Sequence, residues 1–447
     1  MNGDSVSQTH DEASWEAFKN RPLPEWYDAA RLGIFVHWGP YSVAGWAEPI
    51  GELGTIDESR WYKHNPYAEW LFNTLRIDGS PAKEYFESAF PGKSYEDLLD
   101  LWEPPTVDLN SLMAGFKAAG AGYVVLTTKH HDGVTLWDSP DHDGRNTLVR
   151  GPKQDLVKSY ADATRANGLK FGAYYSGGLD WHRRPFPALT THDAVKNMRP
   201  IDAEYAKVAA DHLRDLINQY QPDILWNDID WPDAGKNFEP DGIGTVFQEY
   251  YKAVPTGLVN NRWHVPHADY LTSEYQFMLD GEKGNAWENC RGIGFSFGYN
   301  QNEASASLDS AGVIRHLVDV TTRGGHLLLG VGPKADGHLP KFQVEVLKRM
   351  ADWMKIGEDL LPHMGPAKLD INIQVLGDGF FRIGSNRKGT YLFVDGLGDS
   401  RQVTLQNDLD WELLSTEFAE LDTQGDRLQV TLSPNRPGAA ILRLIEN

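Results

Sequence analysis

The chain has one cysteine, Cys290, among 447 residues. A lone thiol cannot close an intrachain disulfide, and no cysteine-based zinc site can be assembled from it. Basic residues are also scarce: 42 Lys and Arg stand against 63 Asp and Glu, a formal net charge of -21. Nucleic acid and anionic membrane both select clustered basic residues, so neither is expected as a partner. No apolar run approaches the ~20 residues that a membrane-spanning helix needs. The opening, MNGDSVSQTHDEASWEAF, is polar and acidic and has no basic start followed by an apolar stretch, so no secretory leader is read there. These absences point to a soluble, cytoplasmic protein. No Gly-x-Gly-x-x-Gly follows the first strand-like segment, which weighs against a dinucleotide-binding sheet, and no cofactor is expected.

Aromatic residues, by contrast, are abundant, with 15 Trp and 18 Tyr. Trp38, Trp46, Trp70, Trp137, Trp181, Trp226, Trp231 and Trp263 fall near expected strand ends or in loops. Flat rings with a polar edge suit the faces of sugars, although packing accounts for any one of them equally well. Hydrophobic periodicity alternates between strand and helix. Strands are expected at LGIFVHWG (32–39), GYVVLTTKHHDG (122–133), LKFGAYYSGG (169–178), DILWND (223–228), GLVNNRW (257–263), YLTSEYQ (270–276), GFSFGYN (294–300) and GHLLLGVG (325–332). Helices are expected at 67–76, 107–121, 153–168, 202–220, 243–253, 306–323 and 340–361. So many strand–helix units favour a closed (β/α)8 barrel over an open doubly wound sheet. After residue 364 the pattern becomes short β runs separated by glycine turns, such as TYLFVDG and LQVTLS. The organisation read from this is an α/β, TIM-type barrel over 1–364 followed by a C-terminal antiparallel β-sandwich over 365–447.

In such a barrel the reactive groups sit at the carboxyl ends of the strands. Those ends carry His37 and Trp38; Lys129, His130, His131 and Asp132; Tyr174 and Tyr175; Trp226 and Asp228; Arg262 and Trp263; and Glu274. One polar strand end is an ordinary turn, but six in succession read as a ring around one pocket. In DILWNDIDWP the two-residue period puts Trp226, Asp228 and Asp230 on one face. A carboxylate beside a tryptophan on a rigid strand needs compensation for its lost solvation.

Several motifs carry a resemblance: RLGIFVHWGPYSVAGW (31–46), YAEW (67–70), YVVLTTKHHDGVTLWDS (123–139), FGAYYSGGLDW (171–181), LWND (225–228), NNRWHVPHADYLTSEY (260–275) and GPKADGHLP (332–340). From about residue 22 to residue 360 the chain resembles glycoside hydrolase family 29, the retaining α-L-fucosidases, and within it the bacterial branch. The resemblance implies a (β/α)8-like barrel with a carboxyl-terminal β-sandwich. It implies Asp228 as catalytic nucleophile and Glu274, 12 residues after Arg262, as acid/base. It implies a fucose pocket lined by His37, Glu69, Trp70, His130, His131, Tyr175, Trp226, Arg262 and Phe297. Tyr175 rather than Tyr174 follows from counting strand parity from Phe171. The chain departs from the family pattern at His326 and Gly330, where Asn is common, and at Phe297, where Trp is common. Glu288 competes with Glu274 for the acid/base role.

The implied activity is that of a retaining exo-α-L-fucosidase acting on a fucosylated oligosaccharide or glycoconjugate, with transfucosylation open to it and homo-oligomerisation compatible with it. Such chemistry needs one ionised carboxylate to attack and one protonated carboxyl to donate. Two other readings remain. His37, His130, His131 and Asp132 could serve a metal-dependent barrel hydrolase, although adjacent strand residues such as His130 and His131 point to opposite faces unless a bulge intervenes. A fucose-binding lectin on an inactive hydrolase scaffold is the third. The aglycone side is assigned to the loops 76–104, 181–201 and 276–293.

Overall fold

A computed structural model of the chain describes residues 14–184, 186–277, 279, 286–357 and 359–445. Its centre is an eight-stranded parallel sheet. The strands are β1 (Leu32–Val36), β2 (Tyr123–Lys129), β3 (Lys170–Tyr175), β4 (Ile224–Asn227), β5 (Leu258–Val259), β6 (Leu271–Glu274), β7 (Trp287–Gly292) and β8 (His326–Val331). They lie in the order β5-β4-β3-β2-β1-β8-β7-β6, with β1 paired to both β2 and β8 as in a barrel. β1, β2, β4 and β8 are buried along their whole length. That is the expected state of parallel strands covered on both faces, and it explains their continuous apolar runs.

The helices between them start on acidic caps. Asp108, Asp155, Asp202 and Asp309 each accept a hydrogen bond from a first-turn backbone N–H, satisfying a donor the helix itself leaves free. The longest, Ala203–Tyr220, buries Tyr205, Ala209, Leu213, Leu216 and Tyr220 along one face. Truncating Leu213 to alanine there would cost about 2–5 kcal/mol.

The barrel is not closed by a ladder. Among the described residues β5 and β6 share no strand pairing. Instead, Asp269 N donates to Val259 O at 2.9 Å, and Val259 N to Asp269 Oδ2 at 2.8 Å. Thr272 N donates to Asn261 Oδ1 at 2.9 Å. β5 is only two residues long, so the residues after it, through Arg262, are free of strand geometry.

A second expectation needs correction. GFSFGYN is not a strand; the seventh strand is Trp287–Gly292, immediately before it. WENCRG hid from pattern reading because its polar side chains are paired inside the fold. Glu288 accepts from Tyr123 and Trp226, Asn289 donates to Ser273, and Arg291 reaches Glu52. Residues 294–300 form the loop above β7 instead.

From Gly365 onward the chain forms two antiparallel sheets. One has four strands, among them Gln402–Gln406 and Arg427–Leu432; the other has five, among them Thr390–Asp395 and Ala440–Leu444. This module is tied to the outer helices of the barrel. Asp395, fully buried, accepts from Arg315 on helix Ser310–Thr322 and from Arg436, each at 2.6 Å. Trp353 Nε1 donates to Ala439 O at 2.8 Å.

Candidate active site

At the carboxyl ends of the strands lies a cavity of about 310 Å³ whose lining runs from Phe35 to Phe297, all within the barrel. Its chemistry centres on one cation. Arg262 donates from Nη1 to Asp228 Oδ1 at 2.8 Å, from Nη2 to Glu274 Oε2 at 3.1 Å and from Nε to Thr272 Oγ1 at 3.1 Å. Its guanidinium lies 4.7 Å over the Trp226 ring. A planar fork with donors on three edges is held flat, so the two carboxylates are spaced by its geometry. Burial alone would lower the Arg262 pKa, but Asp228, with Cys290 and Glu274, raises it well above its ordinary value.

Asp228 extends β4 by one residue, donating its backbone N–H to Tyr175 O. There the alternation ends. Ile229 has φ 67°, a left-handed conformation that costs a β-branched residue of order 1–3 kcal/mol. The kink leaves Trp226, Asp228 and Ile229 on the cavity. It turns Asp230 away, to Lys236 at 2.7 Å, Arg199 at 3.1 Å and His264 at 3.3 Å. The shared face expected for Asp230 therefore fails at Ile229. Asp228 Oδ1 also accepts from Ile229 N, and Oδ2 from the Tyr174 hydroxyl at 2.8 Å. Burial would raise this carboxyl, but the Arg262 charge and the bonds from Arg262 and Tyr174 hold it below its ordinary value.

Glu274 ends β6 and reaches the same cavity from a different strand. Its Oε1 accepts from the Tyr67 hydroxyl at 2.6 Å while Oε2 meets Arg262. Glu288, the competitor, is fully buried beneath this floor and absent from the cavity lining. Its oxygens accept from Tyr123 at 2.5 Å and from Trp226 Nε1 at 2.9 Å. Burial pushes its pKa up to about 7. It holds the Trp226 ring and does not reach the pocket.

The expected lining residues His37, Glu69, Trp70, His130, His131, Trp226, Arg262 and Phe297 all face this cavity. Tyr175 does not: its hydroxyl meets His212 Nδ1 at 3.0 Å on the helix side of the sheet, and Tyr174 holds the cavity side. Alternation along β3 is intact, but Phe171, Ala173 and Tyr175 pack together on the helix side, so parity counted from Phe171 picks the outer face, and Tyr174 points inward with Phe35 and Trp226. The irregularity lies in β2, which bulges between Thr127 and Lys129. The same bulge region ends β2 at Lys129, freeing both His130 and His131 to turn inward. The alternation argument against both histidines sharing the pocket is thereby overturned. Burial drives His37, His130 and His131 well below the ordinary imidazole value, so all three are neutral. Among the described residues no three His, Cys, Asp or Glu side chains are grouped as metal ligands.

Glu69 sits in the short turn Ala68–Trp70 and is 1% exposed. It accepts from Gly298 N at 2.8 Å and Ser296 Oγ at 3.0 Å, both on the 294–300 loop. Burial still pushes its carboxyl up to about 7. Phe297, on that loop, packs 5.0 Å from His37 and 5.6 Å from Tyr67, an apolar wall beside polar groups. Gly330 makes room for it: a Cβ there would lie 2.7 Å from Phe297 Cδ1. The departures at 297 and 330 are thus one packing change. His326 belongs elsewhere; it stacks on Tyr27 at 4.0 Å and meets Arg31 Nη1 at 3.1 Å.

Sequence reading passed over Tyr174 in favour of Tyr175 and missed Tyr67, Ser176 and Ser296, which touch the site residues, and Leu53, Trp61 and Ile229 at the pocket. Tyr67 lay inside the YAEW motif and Ser176 inside FGAYYSGGLDW, but neither motif marked them as touching the site. Of the three loops assigned to the aglycone side, 181–201 supplies His192, Val195 and Lys196 and 76–104 supplies no lining residue; 276–293 lies partly outside the described residues, and its Cys290 reaches the pocket from β7. Among the tryptophans, Trp70 and Trp226 line the cavity, whereas Trp38, Trp137, Trp231 and Trp263 are fully buried packing residues.

A family model described as alpha-L-fucosidase matches residues 2–359. An α-L-fucosidase of Dictyostelium discoideum is 27% identical over 441 residues, covering 96% of this chain and 90% of that protein. A solved α-L-fucosidase structure is 37% identical with a TM-score of 0.85, covering 97% of this chain and 99% of the other. A Thermotoga maritima α-L-fucosynthase, solved in complex with α-L-Fuc-(1-2)-β-L-Fuc-N3, is 36% identical with a TM-score of 0.84, covering 96% and 98%.

Proposed function

The chain belongs to the α-L-fucosidase family, glycoside hydrolase family 29, and from that membership we propose that it removes terminal α-L-fucose from fucosylated oligosaccharides or glycoconjugates by double displacement. Asp228 is the nucleophile and Glu274 the acid/base. The observation that carries this reading is the single guanidinium of Arg262, bonded at once to Asp228 at 2.8 Å and Glu274 at 3.1 Å.

In the first step Asp228 attacks the anomeric carbon while Glu274 gives its proton to the departing oxygen. Asp228 loses its negative charge as it becomes an ester, and Glu274 gains one as it loses the proton. Arg262 touches both, so the charge moves between two oxygens held by the same cation. In the second step Glu274 takes a proton from water, which attacks the same carbon and restores Asp228, giving net retention. Low-dielectric burial makes this fixed charge far more effective than it would be in water. Tyr67 orients Glu274, and Tyr174 orients Asp228. A sugar hydroxyl in place of water in the second step gives transfucosylation; the similar Thermotoga fucosynthase bound to a fucosyl-fucose azide supports this.

Phe35, Phe297 and Trp226 give the pocket an apolar wall suited to the methyl group of a 6-deoxy sugar, and neutral histidines with Glu69 give it polar partners for hydroxyls. The test is hydrolysis of an aryl α-L-fucoside followed by NMR. The first-formed product should be the α anomer, and activity should withstand EDTA. Asp228→Gly should abolish turnover, and added azide should restore release of the aglycone with formation of β-fucosyl azide. A β-fucose first product, or binding of fucose without turnover, overturns the proposal.

A further inference from the structure

His131 is the buried imidazole nearest to Asp228, with Nε2 3.7 Å from Asp228 Oδ2. Which of its nitrogens carries the proton decides what it can offer a substrate. On its other side, Nδ1 lies 2.6 Å from Ser176 Oγ. Ser176 Oγ in turn lies 2.7 Å from Leu179 O. A serine hydroxyl has one hydrogen. Spent on His131, it would leave two oxygen lone pairs opposed at 2.7 Å. Donated to Leu179 O, it leaves Oγ free to accept, and His131 Nδ1–H is the donor it faces. Only the second arrangement makes both short contacts attractive.

The surroundings hold this arrangement in place. Trp181 N donates to His131 O at 2.8 Å. The imidazole lies edge to face with both Trp70 at 5.4 Å and Trp181 at 5.3 Å, which fixes the plane of the ring, and turning it over within that plane would break the Nδ1 contact with Ser176. Lys129, itself buried and paired to Asp180 at 3.2 Å, bonds Ser176 O at 2.9 Å and fixes the backbone under the hydroxyl. Asp228 Oδ2 needs nothing from His131, since Tyr174 already donates to it.

We infer that Ser176 locks His131 in the Nδ1–H tautomer, so that Nε2 faces the pocket beside Asp228 as an acceptor for a sugar hydroxyl. Ser176 is then a positioning residue for the nucleophile side of the site. The inference rests on the fucosidase reading for the identity of the ligand, but not for the tautomer. A hydroxyl entering between Nε2 and the carboxylate must donate, so the pocket demands a hydrogen and not merely an oxygen at that position.

The experiment uses the full-length enzyme with 15N-labelled histidine, and His131 is assigned by the resonance missing in His131→Asn. The long-range 15N–1H spectrum of the substrate-free protein should show His131 protonated at Nδ1 and bare at Nε2. An Nε2–H tautomer overturns the inference without touching the assignment of function. In Ser176→Ala the Nδ1–H loses its acceptor, the tautomer should shift toward Nε2–H, and kcat/KM on an aryl α-L-fucoside should fall about ten- to a hundredfold. Ser176→Cys, which keeps a weak acceptor, should recover part of the loss. Replacing fucosyl hydroxyls one at a time by fluorine, which cannot donate, should find one position whose penalty is large in the wild type and small in Ser176→Ala. Equal penalties in both proteins at every position overturn the acceptor role. Absence of any fucoside turnover in the wild type would defeat the functional reading alone, because the tautomer is read from the free enzyme.

Discussion

Tyr174→Phe isolates one hydrogen bond to the proposed nucleophile. The ring stays, with its stacking on His130 at 5.5 Å and on Trp226 at 5.6 Å; only the hydroxyl that donates to Asp228 Oδ2 at 2.8 Å is removed. A hydrogen bond to a buried charge contributes about 1.5–3 kcal/mol. Since it acts on the ionised form alone, its loss raises the Asp228 pKa by about one to two units at 1.36 kcal/mol each. Arg262 is untouched and keeps the carboxylate ionised at neutral pH. The loss of activity should therefore be modest at pH 7 and grow as the pH falls. In a kcat/KM profile the acidic limb, which reports the free enzyme's nucleophile, should move up by about one to two pH units. Stability should follow the same sign. The depressed Asp228 value stabilises the fold above the unfolded value of about 3.9, and that contribution is lost as the pH falls through the folded value. Wild type should therefore exceed Tyr174→Phe by about 1.5–3 kcal/mol at pH 7, with the gap closing in acid. Tyr175→Phe, whose hydroxyl meets His212 on the helix side, is the control and should leave the acidic limb in place. An unmoved limb in Tyr174→Phe, or equal shifts in both variants, would refute the reasoning.

Glu274→Ala should depress turnover of alkyl or sugar fucosides far more than that of activated aryl fucosides, since only poor leaving groups need the proton; equal damage to both sets Glu274 aside as the acid. Glu288→Gln should keep the wild-type leaving-group dependence, because that residue lies under Trp226 and outside the pocket. Its buried carboxyl, pushed up to about 7, favours the fold while protonated and loses that contribution as pH rises from the unfolded value of about 4.3 through 7. The Gln variant should therefore gain in Tm relative to wild type between pH 5 and pH 8, and a Tm difference independent of pH would count against that shift. Gly330→Ala would place a Cβ 2.7 Å from Phe297 Cδ1 and 3.1 Å from Gly292 Cα. The ring must swing into the pocket at a cost of about 1–3 kcal/mol, raising KM for the aryl fucoside more than it lowers kcat; an unchanged KM would show that the wall has slack.

The alternation of apolar runs with amphipathic helices was sufficient for the barrel and the trailing sandwich, because each strand buried on both faces must be apolar throughout. Where that rule is relaxed, reading stopped. β7 reads as polar because Glu288, Asn289 and Arg291 find partners elsewhere in the fold, and no local pattern records that Tyr123 meets Glu288 or that Glu52 meets Arg291 from more than a hundred residues away. Asp228, Glu274 and Arg262 were legible as polar residues at strand ends and in motifs. Their union through one guanidinium is a property of β4, β6 and the open seam between β5 and β6. The tertiary structure alone decided Tyr174 over Tyr175, the inward turn of both His130 and His131, and the outward turn of Asp230. For the histidines and Asp230 a single backbone irregularity, the bulge at Thr127–Lys129 or the left-handed Ile229, resets a two-residue period; for the tyrosines the period holds, and only the packing shows that the Phe171 face is the outer one. A one-residue slip exchanges the faces of everything beyond it, and composition holds no record of where the slip occurs.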